Sequence, residues 1–125
     1  MNITYLGTSS GMPTKERNVS CITLQLESGE VFVFDCGEGS QHQFQKSSLR
    51  TGKITHLFIT HLHGDHIFGI PGLLCTISGN NPEERTILPI YGPVGIRKFL
   101  QTTIAMSDSH LSFKLQIFEV KLNLI

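Results

Sequence analysis

Apolar and polar residues alternate along several short runs of this chain, a pattern that predicts β-strands. The runs at residues 21–26 and 31–34 flank a Ser28-Gly29 turn and together predict a β-hairpin. The run at residues 54–60 is apolar enough to lie near the centre of a sheet. The predicted strands cover residues 3–6, 21–26, 31–34, 54–60, 86–91 and 113–117.

Three segments between these strands have the composition or the periodicity of helices. Residues 40–49 predict a helix with Ser40 as its cap, and residues 67–77 predict a second helix with an irregular start at Pro71-Gly72. A third helix is predicted to begin near Pro93, because proline suits the first helical turn. Its apolar side chains fall on one helical face, and they are Ile96, Phe99, Leu100 and Ile104.

Two features of the predicted strands concern their place in the sheet. Pro89 lies inside the strand at residues 86–91, and this strand is predicted to be an edge strand because proline donates no ladder hydrogen bond. The alternation that begins at Phe113 changes its phase at Phe118 and continues to Leu124. That shift predicts a bulge or two separate strand segments.

Strands interleaved with helices predict an α/β domain in which helices cover one mixed sheet. The chain has 125 residues, which is enough for one domain at most. Because 39% of the residues are hydrophobic, the chain can bury a core. Residues 1–125 are therefore assigned to a single domain.

Charge and cysteine content narrow the possible binding partners and cellular compartments of the protein. Ten basic and ten acidic residues give a formal net charge of zero, so contact with a nucleic acid would depend on a local basic patch. No segment has the length of a membrane span, and the N-terminus lacks a signal-peptide pattern. The odd number of cysteines indicates reduced thiols in a cytosolic protein, and Cys36 and Cys75 are predicted to be buried. The third cysteine is Cys21.

The hexamer from His61 to His66 reads His-Leu-His-Gly-Asp-His and follows the fourth predicted strand. Four metal-competent side chains in six positions are typical of a metal site. His61 and His63 are too close in sequence to share a helical face, but an extended loop points both imidazoles to one side. Gly64 allows a sharp turn that brings Asp65 and His66 back toward the same centre.

Four ligands this close together suit two metal ions better than one tetrahedral ion. The natural division gives His61 and His63 to one ion, and Asp65 with His66 to the other. Imidazole and carboxylate without thiolate suit Zn²⁺, with Mn²⁺ or iron as alternatives. Such a pair of ions can clamp a phosphodiester, and Asp65 could accept the proton of the attacking water. The ordinary alternative is a polar loop whose histidines bond only to neighbouring backbone groups.

The segment from Thr60 to His66 resembles the signature of the metallo-β-lactamase superfamily. Four further segments narrow the resemblance to the ribonuclease Z family, the endonucleases that remove the 3′ trailer from precursor tRNA. The resemblance runs from Leu6 to at least Leu111 and is greatest for the short bacterial form. The four segments are residues 13–18 (Pro-Thr-Lys-Glu-Arg-Asn), 34–41 (Phe-Asp-Cys-Gly-Glu-Gly-Ser-Gln), 68–74 (Phe-Gly-Ile-Pro-Gly-Leu-Leu) and 91–96 (Tyr-Gly-Pro-Val-Gly-Ile).

This resemblance implies a role for each residue of the cluster. His61 and His63 would bind the first zinc ion and Asp65 and His66 the second, with Asp65 also the proton acceptor. The family is a cytoplasmic homodimer that acts on precursor tRNA and has an αββα sandwich fold. The resemblance therefore implies Zn²⁺ as the cofactor, precursor tRNA as the substrate and a second copy of the protein as a partner.

Two further assignments rest on the same resemblance. Lys15 and Arg17 lie in a loop that faces the RNA in this family, although the same residues also suit an ordinary solvated loop. Asp35 matches an aspartate at a strand end that supports the metal loop without binding metal. Composition alone fits a simple turn residue at Asp35 equally well.

The resemblance also implies that the chain holds only part of the family's site and fold. The family completes its site with a third histidine, a bridging aspartate and a final histidine, all in the C-terminal part of the fold. We therefore expect the N-terminal part of one domain, half of the sandwich, without activity in isolation. His110 is the only histidine after the hexamer, and a surface or helix-end position is favoured over a metal ligand.

Half of a sandwich leaves one face of its sheet without a partner. We expect this open face to be apolar and to drive dimerisation, domain swapping or aggregation. The residues predicted on it are Ile22, Leu24, Val33, Phe58 and Ile90.

Two other function classes stay open on the sequence alone. One is another hydrolase of the same superfamily, such as a phosphodiesterase or an arylsulfatase-like enzyme. The residues at 15–18 and 35–41 favour the nuclease over this alternative. The other class is a truncated, non-catalytic fragment that binds metal or serves in assembly, which the missing ligands favour for the isolated chain.

Overall fold

The computed structural model describes residues 1–81 and 84–121. The strands in this part of the chain are β1 (Asn2–Gly7), β2 (Cys21–Gln25), β3 (Val31–Phe34), β4 (Ile54–Phe58), β5 (Ile87–Pro93) and β6 (Lys114–Val120). The helices are α1 (Ser40–Lys46), α2 (Gly64–Ile67), α3 (Ile70–Gly79) and α4 (Ile96–Met106), and a 3₁₀ turn spans Thr51–Lys53.

The described strands form one mixed sheet in the order β1-β2-β3-β4-β5-β6. The β1–β2 and β2–β3 pairs are antiparallel, whereas the β3–β4, β4–β5 and β5–β6 pairs are parallel. The β2–β3 hairpin turns at Gly29, whose φ of +93° suits glycine, and the Leu26 N–H donates to the Glu30 carbonyl oxygen at 2.9 Å. The predicted hairpin and the predicted α/β sheet are confirmed.

Helices cover one face of the sheet, because right-handed crossovers between parallel strands place their helices on the same side. A row of residues in register across β3 to β6 lies on this covered face, and each is at most 7% exposed. This row is Val33, Leu57, Ile90 and Ile117. The helices add Phe44, Leu73, Leu74, Ile77, Ile96 and Leu100 to the same core. Removal of this apolar surface from water is the main term that stabilises the fold.

The opposite face of the sheet carries aromatic side chains in register, here called the aromatic row. It consists of Phe34, Phe58, Tyr91 and Phe118. Successive ring centroids lie 5.1, 5.3 and 4.7 Å apart, and each pair is stacked. The rings are only partly buried, and Phe118 is 40% exposed. The described residues thus leave an apolar face of the sheet open.

The predicted membership of this open face is partly wrong. Ile22 pairs with Phe34 and Leu24 with Phe32, so both lie on the open side, as does Phe58. Val33 and Ile90 are fully buried on the helix-covered side. The reason is the register between β3 and β4, which pairs Phe34 with Phe58 and Val33 with Leu57, so that Val33 and Phe58 lie on opposite faces.

The edge position predicted from Pro89 is also wrong, because β5 lies between β4 and β6. Pro89 pairs with Gln116 of β6, whereas pairing with β4 begins at Ile90. Since β4 pairs only with residues beyond Pro89, an interior strand can carry this proline without losing a ladder hydrogen bond to β4.

The helix predicted at residues 40–49 is confirmed in the shorter form of α1, but Ser40 is not its cap. Gly39, with a left-handed φ of +77°, is the N-cap residue, and no side chain caps the helix. The buried Ser40 hydroxyl instead donates to the Gly37 carbonyl oxygen at 2.7 Å. Ser40 therefore stabilises the loop before the helix and not the first helical N–H groups.

The helix predicted at residues 67–77 is in fact two helices. α2 already begins at Gly64, inside the hexamer that was predicted to be a loop. The Gly69 N–H then donates to the Cys36 carbonyl oxygen at 2.9 Å, which takes it out of the helical hydrogen-bond pattern. α3 follows with Pro71 in its first turn, where the missing N–H costs little.

The predicted apolar face of the third helix is confirmed, although α4 begins at Ile96 and Pro93 ends β5. Ile96 and Leu100 are fully buried, and Phe99 and Ile104 pack against the core. Among the described residues, no helix has the length and apolar character that crossing a bilayer requires.

The bulge predicted near Phe118 is wrong for the described residues. β6 pairs with β5 without a break from Lys114 to Val120, so Phe118 follows Ile117 in ordinary alternation. Leu122 and Leu124, the end of the predicted second phase, lie outside the described residues.

The cysteines divide into two environments. Cys21 and Cys36 are buried, whereas Cys75 is exposed on α3, so the predicted burial of Cys75 is wrong. The neighbouring Cys21 thiol, together with complete burial, raises the pKa of the Cys36 thiol well above its usual range. Cys36 is therefore a neutral, buried thiol at neutral pH.

Candidate metal centre

The hexamer lies where β4 ends, and its side chains converge there. The ring centroid of His61 is 4.7 Å from that of His63 and 4.0 Å from that of His66. The Nε2 atom of His66 is 3.4 Å from Oδ2 of Asp65. The structure therefore brings together all four side chains that the sequence predicts as metal ligands, and that assignment stays a prediction.

Asp35 follows β3, the strand next to β4, and its carboxylate reaches the hexamer. Oδ2 of Asp35 accepts a hydrogen bond from His66 Nδ1 at 2.7 Å, and Oδ1 accepts one from the Thr60 N–H at 2.8 Å. The residue is 5% exposed and has a φ of +58°. A left-handed backbone is uncommon outside glycine but is tolerated by aspartate, which explains this residue type at the position.

Thr60 links Asp35 to a second histidine, and sequence reasoning missed this residue. Its hydroxyl donates to Asp35 Oδ2 at 2.8 Å and lies 2.9 Å from His61 Nδ1. Because the single hydroxyl proton goes to Asp35, His61 donates its Nδ1 proton to the threonine oxygen. His66 likewise carries its proton on Nδ1, because its partner there is the Asp35 carboxylate, which only accepts hydrogen bonds. Both imidazoles then keep Nε2 as a free electron-pair donor.

The carboxylate of Asp65 is held by a backbone N–H from the N-terminal part of the chain. Its Oδ2 atom accepts a hydrogen bond from the Gly11 N–H at 2.9 Å. This bond is the largest cause that lowers the pKa of Asp65, and the positive charges that His66 and His63 carry when protonated lower it further. Asp65 is consequently an ionised acceptor at neutral pH.

Close backbone packing fixes the hexamer against the segment after Asp35. The Cys36 N–H donates to the His66 carbonyl oxygen at 2.8 Å. A side chain at Gly37 would overlap the Asp65 carbonyl group, and one at Gly69 would overlap the Gly37 carbonyl group. These two glycines are required by the close approach of the two segments.

The loop at residues 8–18 lies beside the same centre through its Gly11–Asp65 contact. Lys15 and Arg17 are exposed on this loop. The Arg17 guanidinium donates to the Thr8 hydroxyl at 3.1 Å. The structure thus gives both basic residues a position in the loop that touches the cluster.

His110 lies elsewhere. It is exposed and precedes β6, so it belongs to the edge of the parallel strands opposite the hexamer, which follows the end of β4. A cavity of about 630 Å³ also lies away from the cluster, lined in part by Arg50, Thr51 and Asn80. Neither feature contributes a side chain to the candidate metal centre.

The donor set agrees with a metal site, although it does not form a complete one. Three imidazoles and one carboxylate suit zinc, and the Nδ1 bonds of His61 and His66 leave their other nitrogens free. Within residues 1–81 and 84–121, however, no three His, Cys, Asp or Glu side chains are arranged to hold an ion. The four side chains therefore fit the chemistry of zinc but not yet its geometry.

The fold is that of the metallo-β-lactamase fold proteins. The structure of the metallo-β-lactamase fold protein YhfI from Bacillus subtilis is 20% identical, with a TM-score of 0.69 over 94% of this chain and 45% of that chain. The structure of human tRNase Z, short form, is 49% identical, with a TM-score of 0.89 over 95% of this chain and 45% of that chain. The predicted fold class, a mixed sheet with covering helices that forms part of this fold, is confirmed.

A family model described as Anti-Pycsar protein Apyc1 matches residues 1–94 of the 125 residues. The chain therefore belongs to this family.

A curated relative, Ribonuclease Z of Prochlorococcus marinus (strain MIT 9312), is 52% identical over 124 residues, which cover 97% of this chain and 38% of that protein. The resemblance to ribonuclease Z that the sequence motifs predict is thereby confirmed. The chain spans about two fifths of the length of the curated relatives that it matches, 38% to 40%.

Proposed function

We propose that this chain forms part of a zinc-dependent endoribonuclease that removes the 3′ trailer from precursor tRNA. The observation that carries the proposal is the convergence of His61, His63, Asp65 and His66 at the end of β4. The similarity to ribonuclease Z over nearly the whole chain supports precursor tRNA as the substrate. The reaction class is hydrolysis of a phosphodiester.

Two zinc ions would divide the four ligands. His61 and His63 would hold the first ion, and Asp65 with His66 would hold the second. The contacts of Asp35 support this assignment, since it accepts a hydrogen bond from His66 directly and is linked to His61 through Thr60. When bound, zinc supplies a Lewis acid and a nucleophilic water at neutral pH.

Asp65 is the proton acceptor in this proposal. Its carboxylate is charged at neutral pH and can therefore accept a proton, while the lowered pKa makes it a weaker base than an ordinary aspartate. Oδ2 accepts the Gly11 N–H, which holds the carboxylate in one orientation.

Lys15 and Arg17 would bind the phosphate backbone of the RNA. Both side chains are exposed, and their loop touches Asp65 through Gly11. Since the net charge of the chain is zero, a local patch of this kind has to supply the attraction to RNA.

The proposal extends to the context of the chain. Residues 1–125 would be the N-terminal part of one metallo-β-lactamase-like domain, which acts as a homodimer in the cytoplasm. The open aromatic row would be covered by the second sheet of the αββα sandwich.

A second candidate is a fragment that binds metal without catalysis. The observation in its favour is that no three metal-competent side chains of the described residues are arranged to hold an ion. The third candidate, a phosphodiesterase or arylsulfatase-like hydrolase, uses the same cluster on a smaller substrate.

The test is cleavage of precursor tRNA with a labelled 3′ trailer by the polypeptide that the complete reading frame encodes. We expect zinc-dependent release of the trailer, and we expect Asp65→Ala to abolish cleavage while tRNA binding persists. Glu27→Ala, which removes an exposed carboxylate from the β2–β3 hairpin, is the matched control and should leave cleavage unchanged. Hydrolysis of a small phosphodiester or aryl sulfate without tRNA cleavage would favour the phosphodiesterase or arylsulfatase-like hydrolase. Zinc binding without either reaction would favour the non-catalytic fragment.

A further inference from the structure

The hydrogen bond between Gly11 and Asp65 joins residues that are 54 positions apart in the chain. It is a backbone N–H to carboxylate bond of 2.9 Å, within the usual range for a charge-assisted hydrogen bond. It occupies Oδ2 of Asp65, the oxygen that also lies 3.4 Å from His66 Nε2. The bond therefore fixes which carboxylate oxygen faces His66.

A tight turn aims the Gly11 N–H at this carboxylate. Within the turn, the Ser9 hydroxyl donates to the Met12 carbonyl oxygen at 2.6 Å, and the Met12 N–H donates to the Ser10 carbonyl oxygen at 2.9 Å. Gly11 has a φ of +77°, a backbone conformation that residues with a side chain rarely adopt. No atom lies within 4 Å of the position a Cβ would take, so only this backbone conformation requires glycine.

The turn is itself held to the segment that precedes β2. The Ser9 N–H donates to the Asn18 carbonyl oxygen at 2.8 Å, and Ser9 forms an isolated bridge with Val19. The Asn18 side chain donates to the Glu38 carbonyl oxygen at 2.9 Å, near the segment that follows Asp35. The Gly11 N–H is thus a donor with a fixed place beside Asp65.

We propose that Gly11 is a positioning residue, which holds Oδ2 of Asp65 and so fixes the orientation of this carboxylate beside His66. The proposal rests on the proposed function for the role of Asp65, but its structural part does not depend on the substrate. Gly11 itself contacts neither the substrate nor the reacting atoms in this account. Its contribution is the orientation of the proton acceptor.

Amide hydrogen exchange of the chain tests the structural part. We expect Asp65→Ala to speed exchange of the Gly11 amide by about tenfold or more, the change expected when a hydrogen bond to a charged group is lost. Asp65→Asn keeps an acceptor oxygen and should stay much closer to the unchanged chain. The Thr14 amide, which donates to the Arg17 carbonyl oxygen at 2.8 Å in the same loop, is the internal control.

Kinetics of trailer removal by the polypeptide of the complete reading frame test the functional part. Gly11→Ala should lower kcat by roughly tenfold to a hundredfold, as expected for a misplaced catalytic group, with KM for precursor tRNA changed by less than about twofold. Gly29→Ala is the matched control, because Gly29 also has a positive φ, +93°, and open space at its Cβ position. It should leave kcat unchanged.

The outcomes separate this inference from the proposed function. Equal exchange of the Gly11 amide in the unchanged chain and in Asp65→Ala would overturn the positioning role, whatever the enzyme cleaves. So would a Gly11→Ala variant with normal kcat. Fast Gly11 exchange in Asp65→Ala together with absent tRNA cleavage would instead contradict the proposed function and leave the Gly11–Asp65 contact standing.

Discussion

Asp35 accepts a 2.7 Å hydrogen bond from Nδ1 of His66, a residue 31 positions further along the chain. The same carboxylate accepts two hydrogen bonds from Thr60, so one buried group organises most of the hexamer. A carboxylate that bonds Nδ1 of an imidazole sets its tautomer and its orientation. Asp35 thus connects the end of β3 to the candidate metal centre.

We predict that Asp35→Asn destabilises the metal-free chain by about 1–3 kcal/mol, because an amide nitrogen would face one of the present donors. Asparagine also tolerates a positive φ, so the backbone should be kept. Urea unfolding of the metal-free chain measures the change. Asp108→Asn is the matched control, since Asp108 is an exposed aspartate with a φ of +49°, and it should shift stability by less than about 0.5 kcal/mol. Equal effects of the two substitutions would contradict the role of Asp35.

Thr60→Val should weaken zinc binding by roughly tenfold to a hundredfold, because it removes the hydroxyl between Asp35 and His61 while keeping the side-chain shape. Competition with a chromophoric chelator measures the affinity. Thr60→Ser retains the hydroxyl and should therefore keep most of the zinc affinity. Thr55→Val is the control, since the Thr55 hydroxyl lies 3.0 Å from His56 Nδ1 on the same strand, away from the cluster. An unchanged zinc affinity in Thr60→Val would contradict the role of the Thr60 hydroxyl in linking Asp35 to His61.

The carboxylate of Asp65 should keep its charge to a lower pH than an ordinary aspartate, whose pKa is about 3.9. The Gly11 N–H is the main cause of the lowered pKa. A lowered folded-state pKa contributes stability that is complete above the ordinary value and is lost as the pH falls through the folded pKa. Carbon-13 NMR titration of the metal-free chain measures this pKa, and Gly11→Ala should raise it. A pKa of Asp65 at or above the ordinary value would contradict the structure.

Gly69→Ala should lower the free energy of unfolding by about 1–3 kcal/mol or more, because its methyl group would overlap the Gly37 carbonyl group. Thermal or urea unfolding measures the loss. Gly79→Ala is the matched control, since Gly79 ends α3 with no atom within 4 Å of its Cβ position. That control should be neutral or stabilising by up to about 1 kcal/mol. A neutral Gly69→Ala would mean that the two segments are not in close contact.

The periodicity of the sequence was sufficient to predict the strands and the buried face of α4, since both follow from local alternation. It failed at Pro89 and Val33, whose positions depend on which strands are neighbours and on their register. Neither property is encoded in a run of a few residues. The break between α2 and α3 was missed for a similar reason, because the Gly69 N–H bonds to Cys36, which is distant in sequence.

In the candidate site too, features set by neighbouring residues could be predicted and features set by distant contacts could not. The hexamer is local in sequence, so the dense cluster of His61, His63, Asp65 and His66 could be predicted directly. Thr60 was missed because a threonine next to a histidine is common and only the distant Asp35 gives it a role. The Gly11–Asp65 hydrogen bond spans 54 positions and involves a backbone donor, which leaves no side-chain pattern to read.

Under the proposed function, the hexamer supplies one side of a two-ion zinc site. X-ray absorption at the zinc edge, combined with the measured zinc content of the loaded chain, tests it most directly. We expect nitrogen and oxygen ligands without sulfur, less zinc than a complete two-ion site holds, and loss of that zinc in His61→Ala with His63→Ala. Sulfur ligands from Cys21, Cys36 or Cys75, or a zinc content unchanged by these substitutions, would contradict it.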